Sequence, residues 1–157
     1  MHELIEKRDG VFKLNISLPQ DAWHGFESES VWAEALEDGS MRILNTPFFA
    51  KGISFKDVVS IKIEPEMIRF DSVICKSGHS TYRILIDDAT VDRMFKTRWG
   101  EIATLGCTYE SFVTDAIRLY AVDIPPSIDV HKVYALLAAG EKDGVWDFEE
   151  GNFVSKI

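Results

Sequence analysis

The fold of this chain is decided by residues 80–154, which read STYRILIDDATVDRMFKTRWGEIATLGCTYESFVTDAIRLYAVDIPPSIDVHKVYALLAAGEKDGVWDFEEGNFV. Two stretches of this segment, at about 91–105 and 129–143, carry apolar residues at the spacing of an amphipathic helix. Shorter apolar and alternating stretches before, between and after them are typical of strands. The order strand, helix, strand, strand, helix, strand is the split βαβ arrangement of a ferredoxin-like fold. We therefore predict an α+β protein with a ferredoxin-like βαββαβ C-terminal half.

Each predicted helix has a start signal and one apolar face. The stretch DDAT at 87–90 favours a helix start, and Ser127 or Asp129 can cap the second helix after the two prolines at 125–126. We expect both helices to lie on one face of an antiparallel sheet. The side chains that we expect to be buried there are Met94, Phe95, Trp99, Val133 and Leu137.

The first half of the chain predicts strands only. Residues 11–18 alternate polar and apolar side chains up to Pro19, which indicates a half-buried strand. Further strands are predicted at 30–36, 40–44, 55–63 and 68–75. We expect residues 1–76 to form a β-rich subdomain, a small curled sheet or barrel, and residues 77–157 to form the ferredoxin-like subdomain. Because no flexible linker separates them, the two should pack as one compact unit.

The net charge of −9 and the composition argue against several classes of partner. Acidic residues outnumber basic ones by 13 to 8 in residues 1–75 and by 13 to 9 in residues 76–157, so approach to nucleic acid is unfavourable. No apolar run has the length of a membrane span, and the start of the chain lacks a signal-peptide pattern. The two cysteines, Cys75 and Cys107, form no C-x-x-C pair and suit a reducing compartment. We expect a cytoplasmic protein that binds neither nucleic acid nor membranes.

Several separated motifs resemble one protein family. They are SVWAE at 30–34, NTPFFAKGIS at 45–54, SGHST at 77–81 and the tail from Leu136 to Gly151. In this order they are similar to a bacterial family known as domain of unknown function 4265. The resemblance spans about residues 31–151 and implies a small bacterial protein. The family has no established activity that the resemblance carries over to these residues.

His79 and Ser80 form the first candidate site, as a ligand or partner contact. A nucleophile needs a base within hydrogen-bond reach, and here a histidine stands beside hydroxyl groups at the start of a strand. Because adjacent strand residues point to opposite faces, the two are poorly placed to serve each other. Two interpretations remain. Either both residues make structural hydrogen bonds in a turn that Gly78 allows, or His79 contacts a ligand or a partner.

The sequence offers no recognisable metal or cofactor site. Its four histidines are scattered, and none belongs to an H-x-x-x-H or H-E-x-x-H pattern. The glycines do not cluster into a P-loop or a dinucleotide fingerprint. The strand at 116–123 lacks the glycine and paired aromatic residues of an RNA recognition motif. We therefore predict no metal, no cofactor and no catalytic residue.

The acidic tail is the second candidate site, as a surface that binds a protein partner. Two aromatic residues, Trp146 and Phe148, stand among the carboxylates of Glu141, Asp143, Asp147, Glu149 and Glu150. An aromatic anchor with an acidic rim suits recognition of a basic protein. The alternative is that the two aromatic residues complete the core beneath a solvated acidic edge.

Three classes of function agree with these features. The favoured class is a non-enzymatic protein-binding protein, in its sharpest form an immunity-type inhibitor that masks a basic bacterial toxin with an acidic surface. The second class is a small-molecule-binding regulatory module. The third is a small enzyme in which His79 acts with Glu110, Asp123 or Cys107, and it requires those groups to converge in one cleft. The sequence leaves the partner and the oligomeric state open.

Overall fold

The computed structural model describes residues 6–87 and 92–154. These residues form a β-rich N-terminal half and a C-terminal half with both strands and helices. The strands of the N-terminal half are β1 (Glu6–Arg8), β2 (Val11–Ser17), β3 (Ser28–Ala35), β4 (Met41–Ile43), β5 (Val58–Ile63) and β6 (Ile68–Cys75). The C-terminal half contains β7 (Ser80–Ile86), α1 (Asp92–Thr104), β8 (Thr108–Val113), β9 (Arg118–Ile124), α2 (Val130–Lys142) and β10 (Asp147–Asn152).

Strand β2 closes the N-terminal strands into a barrel. It pairs with β3 in antiparallel fashion along its whole length. At Leu14 and Asn15 it also pairs in parallel with β6, which follows β3, β4 and β5 in the sheet. Strands β2 to β6 therefore form a closed five-strand barrel, and β1 pairs with the beginning of β2. The predicted β-rich first half is thus confirmed.

Alternation along the strands fills this barrel with apolar side chains. In β2, Leu14 and Ile16 are buried, whereas Asn15 between them is only partly buried and Ser17 is exposed. This is the period-two pattern expected of a half-buried strand. The other strands contribute the buried side chains Val31, Ala33, Met41, Ile43, Val59 and Ile68 to the same cluster.

The C-terminal strands form a second sheet, which the helices cover on one face. Its strand order is β10-β7-β9-β8, and every neighbouring pair is antiparallel. One core cluster joins the helices to alternate residues of β7 and β9, and it includes Tyr82, Ile84, Phe95, Ile102, Val122, Val133 and Leu137. Within the described ranges, no helix combines the length and the apolar composition that crossing a membrane requires.

The opposite face of this second sheet meets the N-terminal half. Leu119 of β9 belongs to the core cluster of the barrel. Thr81 of β7 contacts Ser54 through hydroxyl groups 2.7 Å apart. Arg83 lies on the same face of β7 and is only 1% exposed. The two halves therefore bury polar as well as apolar groups between them, and this junction contains the candidate site.

Both predicted helices form, α1 at 92–104 and α2 at 130–142. Helix α2 begins after Asp129, whose carboxylate accepts a hydrogen bond from the backbone N–H of His131 at 2.9 Å. The predicted start of α1, with start residues at 87–90 and a first helical residue at Val91, falls mainly on residues 88–91, which lie outside the described residues. The expected burial of Met94 is wrong, because this side chain is 46% exposed. At helical spacing Met94 lies in line with the polar residue Arg98 rather than with the buried Phe95.

Two further details differ from the sequence predictions. Trp99 is only partly buried at the edge of the helix-covered core. Strand β5 begins at Val58 instead of residue 55, because residues 55–56 form a turn in which Lys56 has a φ of 69°. That left-handed conformation is incompatible with an extended strand.

Candidate functional site

One loop, residues 45–57, lies between the barrel and the second sheet and is held by carboxylates. We call it the clamped loop. Glu29 of β3 accepts hydrogen bonds from the backbone N–H groups of Phe48 at 2.9 Å, Phe49 at 2.9 Å and Ala50 at 2.6 Å. Hydrogen bonds to an ionised acceptor are stronger than neutral ones. A single side chain thus fixes three consecutive residues of the loop.

Two other carboxylates fix the ends of the clamped loop. At its beginning, Glu110 of β8 accepts hydrogen bonds from the side chain of Asn45 at 2.9 Å and from the backbone N–H of Thr46. At its end, the fully buried Asp57 accepts from the backbone N–H of Ser54 at 2.9 Å and from that of Ser77 at 2.8 Å. The loop is therefore tied to both halves of the protein.

Two neighbouring cavities open near the junction of the two halves. The larger has a volume of about 540 Å³ and lies between residues 16–24, the clamped loop at 49–51 and Glu149 of β10. The smaller has a volume of about 220 Å³ and lies against the second sheet, where Arg83 forms part of its wall. Trp23 and Glu149 line both cavities. We call the two cavities together the cleft.

The loop after β2 forms an aromatic wall of the cleft. The ring centroid of His24 lies 4.4 Å from that of Phe49, and the ring of Phe26 lies 4.9 Å from the same ring. Trp23 packs edge-on against Phe49 with the centroids 6.4 Å apart, yet 53% of its surface is exposed. An exposed indole beside a cavity provides a large apolar contact surface for whatever occupies that cavity.

Arg83 is the most unusual polar residue of the cleft. Its Nη2 donates to the carbonyl oxygen of Ala50 in the clamped loop, while Nε and Nη1 are buried without a hydrogen-bond partner in the part of the chain that the structure describes. The carboxylate of Glu149 lies close by, with 4.0 Å between Nη1 and Oε1, a distance longer than a hydrogen bond. Burial lowers the pKa of Arg83 from its ordinary value, and the negative charges of Glu149 and Glu29 oppose that effect.

The first predicted candidate, His79 with Ser80, is built into local structure. The Nδ1 atom of His79 lies 2.8 Å from the carboxylate of Asp123, and the backbone N–H of His79 donates to the Ser77 hydroxyl at 3.1 Å. Ser80 is 1% exposed, and its hydroxyl accepts from the backbone N–H of Val154 at 2.9 Å. The two side chains have different partners, as their opposite directions predict.

The groups that an enzyme would need converge only in part. His79 and Asp123 meet, but Glu110 is engaged with the clamped loop. Burial, helped by the charge of Asp123, raises the pKa of Cys107 to about 12, so the thiolate nucleophile is not formed near neutral pH. Burial also raises the pKa of Asp123 against the opposing effect of His79. Within the described residues, no group of three or more His, Cys, Asp or Glu is arranged to hold a metal ion.

Trp146 of the predicted acidic tail is in the core, which corrects its use as an exposed anchor. It is 4% exposed, and its indole N–H donates to the carbonyl oxygen of Leu137 at 2.9 Å. The physical reason is a gap in α2 at Gly140, where an added Cβ atom would lie 2.4 Å from the indole ring. Phe148 is partly buried against the same core cluster. The alternative interpretation, in which both rings complete the core, describes them correctly.

Most carboxylates of the tail have partners inside the protein. Asp143 pairs with Arg98, and Glu141 accepts a hydrogen bond from the backbone N–H of Phe148 at 3.2 Å. Burial, followed by the charge of Glu150, raises the pKa of Tyr82 to about 12. Glu149 and Asp147 line the cleft. The tail therefore contributes to this site through its carboxylates, without the aromatic anchor that the sequence suggested.

Sequence reasoning missed Trp23 and Arg83, which line the cleft, and Glu29, which holds the clamped loop. For Arg83 a signal was present, because it is a lone charged residue within the otherwise apolar end of β7, TYRILI. A charged side chain in a buried strand requires a partner or a function. Glu29 carried no such signal, since a glutamate on an alternating strand usually faces solvent.

Comparisons with known proteins agree with the fold and add no activity. The family model described as "Domain of unknown function (DUF4265)" matches residues 29–148. No curated protein matches the chain. The chain is also similar to a solved structure described as "Novel crystal structure of a hypothetical protein from Neisseria gonorrhoeae". The two share 20% sequence identity with a TM-score of 0.76, over 99% of this chain and 100% of that one, which is a likeness of fold alone.

Proposed function

The chain belongs to the DUF4265 family, and we propose that it is a non-enzymatic binding protein that holds a small molecule in the cleft. The observation that carries this proposal is the cleft itself, two cavities that meet at Trp23 and Glu149 between the barrel and the second sheet. Small-molecule sites are typically concave, about 300–1,000 Å³ in volume and largely apolar with a few placed polar groups. The 540 Å³ cavity is within that range.

The way the cleft is built supports a binding role. Its walls come from both halves of the protein, and the clamped loop between them is held by carboxylates rather than left mobile. Preformed walls reduce the ordering cost of binding a ligand. The high pKa of Cys107 and the separate partners of His79 and Ser80 argue against nucleophilic catalysis by these residues.

Two narrower inferences accompany this proposal. We infer that the C-terminal half is a ferredoxin-like unit, supported by the element order β7, α1, β8, β9, α2, β10 and by the antiparallel strand order β10-β7-β9-β8. We also infer that the protein acts in the cytoplasm, supported by its two unpaired cysteines, Cys75 and Cys107.

A screen of small metabolites against three proteins tests the binding role. The proteins are the wild type, Ala22→Phe, which places a large ring in the 540 Å³ cavity, and Val113→Phe, a matched change on an exposed strand end. We expect at least one metabolite to raise the melting temperature of the wild type and of Val113→Phe but not of Ala22→Phe. If no metabolite raises it, or if all three proteins respond equally, the proposal is wrong.

A second candidate function is the binding of a basic protein, including inhibition of a bacterial toxin. The specific observation in its favour is the exposure of Trp23 (53%) and Phe26 (40%), which stand among the exposed carboxylates of Asp21 and Glu27. These rings take the place of the buried Trp146 as an aromatic anchor with an acidic rim. The net charge of −9 would speed association with a basic partner.

Capture of a partner at two salt concentrations tests this second candidate. A basic protein recovered from the native organism should associate more slowly at high salt, because the Debye length falls from about 10 Å at 0.1 M to about 3 Å at 1 M. Trp23→Ala should speed its dissociation, whereas Tyr134→Ala, a matched exposed aromatic residue on α2, should not. An association rate that does not fall at high salt, together with a dissociation rate that Trp23→Ala does not raise, would exclude this function.

A further inference from the structure

We propose that the smaller cavity of the cleft, beside Arg83, binds the carboxylate of a zwitterionic small molecule, an α-amino acid with an apolar side chain. This inference rests on the proposed function of the cleft and names the chemical class of its ligand. Three independent properties of the cavity carry it: an incompletely paired cation in its wall, an excess of carboxylates around that cation, and apolar walls of suitable size.

The first property is the state of the Arg83 guanidinium. With 1% of the residue exposed, water reaches it poorly, and Nε and Nη1 have no hydrogen-bond acceptor among the described residues. A buried charged donor without an acceptor is costly. The guanidinium lies against β10, since a Cβ atom at Gly151 would lie 2.4 Å from Nη1. Its two unpaired nitrogens have almost no surface open to the adjoining cavity, so a ligand carboxylate there would supply the missing acceptor after a small shift of the guanidinium toward it. Arginine is the residue best suited to bind a carboxylate.

The second property is the charge around that cation. The same cavity is lined by the carboxylates of Asp147 and Glu149, and Glu149 stands 4.0 Å from the guanidinium without forming a hydrogen bond. A plain anion, and a doubly charged phosphate most of all, would meet Arg83 and two negative groups together. A molecule that also carries an ammonium group offers a partner to those carboxylates. A zwitterion therefore matches both signs of charge in the wall.

The third property is the apolar remainder of the cavity. Its other walls include the apolar residues Trp23, Leu85 and Leu119. The volume of about 220 Å³ corresponds to roughly seven molecules of liquid water at about 30 Å³ each, the scale of one small metabolite. The indole of Trp23 also lines the larger cavity, so an apolar side chain has room to extend along this ring.

The ligand class is tested by calorimetric titration with four probes at neutral pH. L-Phenylalanine carries both charges, L-phenylalaninamide lacks the carboxylate, 3-phenylpropanoate lacks the ammonium group, and phenyl phosphate has a phosphate in place of the carboxylate. We expect L-phenylalanine to bind, and each of the other three to bind at least about tenfold more weakly, because each leaves one charged group of the wall unmatched. Equal or tighter binding of phenyl phosphate would replace the zwitterion with a phosphate ligand and overturn the proposal.

Variants locate the binding at the proposed atoms. Arg83→Met keeps an apolar stem of similar length and should lower the affinity for L-phenylalanine at least about tenfold. The control variant Arg42→Met, which changes an exposed ion pair of the barrel, should leave this affinity unchanged. Should Arg83→Met fail to fold, Asp147→Asn on the exposed rim provides the second test. This variant should lower the affinity for L-phenylalanine and leave the affinity for 3-phenylpropanoate unchanged or higher. A variant that instead binds 3-phenylpropanoate more weakly and L-phenylalanine as tightly as before contradicts the proposal.

The outcomes separate this inference from the proposed function. If another metabolite binds in a manner that Ala22→Phe abolishes, while L-phenylalanine does not bind, the amino-acid inference is wrong and the binding role stands. If L-phenylalanine binds equally to the wild type and to Arg83→Met, the inference is also wrong. If nothing binds in the cleft, both are wrong.

Discussion

Removal of the Glu29 side chain is the perturbation that the structure predicts to be most damaging to the clamped loop. Glu29→Ala leaves the backbone N–H groups of Phe48, Phe49 and Ala50 without their acceptor. Phe49 and Ala50 are 7% and 4% exposed, so water replaces the lost acceptor only at Phe48. At about 1.5–3 kcal/mol for each hydrogen bond to a charged group, the two buried amides predict a loss of about 3–6 kcal/mol in the free energy of unfolding.

The isosteric variant Glu29→Gln should have an intermediate effect. The Oε1 atom of Glu29 accepts from Phe49 and Ala50, while Oε2 accepts from Phe48. A glutamine can keep its carbonyl oxygen on the first pair, but its amide group then faces the third N–H group as a second donor. We expect it to lose about half as much stability as Glu29→Ala, because the two buried amides keep an acceptor that is no longer charged.

Urea unfolding combined with hydrogen exchange measures both effects. Glu34→Ala is the control, since Glu34 lies on the same strand but pairs with Arg42 at the surface, an interaction worth at most about 1 kcal/mol. In Glu29→Ala the amides of residues 48–50 should also lose protection from exchange ahead of global unfolding. A loss below about 1 kcal/mol, no larger than that of the control, would refute the assignment of Glu29 as the residue that holds this loop.

Three further predictions concern the packing and protonation of the second half. Gly140→Ala should lower stability by about 1–3 kcal/mol because the added methyl group overlaps the indole of Trp146 beneath the helix. Gly100→Ala, whose added methyl group meets nothing within 4 Å, should raise stability by about 0.5–1 kcal/mol. Urea unfolding of both variants measures these changes, and equal effects would contradict the prediction. His79→Ala should cost roughly 1–3 kcal/mol through the lost bond to its carboxylate partner while leaving ligand affinity unchanged, and a stable variant that has lost binding would make it a site residue. Iodoacetamide at pH 8 should label the exposed Cys75 and not the buried Cys107, whose pKa is raised to about 12; intact mass should show one adduct on the folded chain and two on the unfolded chain.

Local sequence patterns predict most of the elements but not the way the strands meet. The period of two in residues 11–18 and the helical spacing of 129–143 specify which faces are buried, and both elements form where expected. Closure of the barrel depends on the parallel pairing of Leu14 with Ile68, 54 residues away along the chain. Periodicity carries information about faces and none about partners, so the sequence could not choose between a curled sheet and a closed barrel.

The candidate site shows even more clearly what sequence patterns cannot predict. Trp146 stands among acidic residues in the sequence and resembles a surface anchor, yet the absence of a side chain at Gly140 opens the core to its ring. Arg83 stands among apolar residues, and its role depends on Ala50 and Glu149, which come from segments far away along the chain. A buried charge can be recognised from sequence as an exception to a pattern. The neighbours that give it a function become visible only in the folded structure.

A titration of the isotopically labelled protein with L-phenylalanine, followed by amide and indole NMR resonances, examines the cleft itself. We expect the largest shifts at the indole N–H of Trp23, at the amides of Phe49 and Ala50 and along β10 near Glu149, all saturating with one dissociation constant. The same titration of Arg83→Met should require at least about tenfold more ligand to reach the same shifts. Shifts that lie away from the cleft, or that are identical in the two proteins, would contradict the assignment of this cleft as the binding site for an amino-acid ligand.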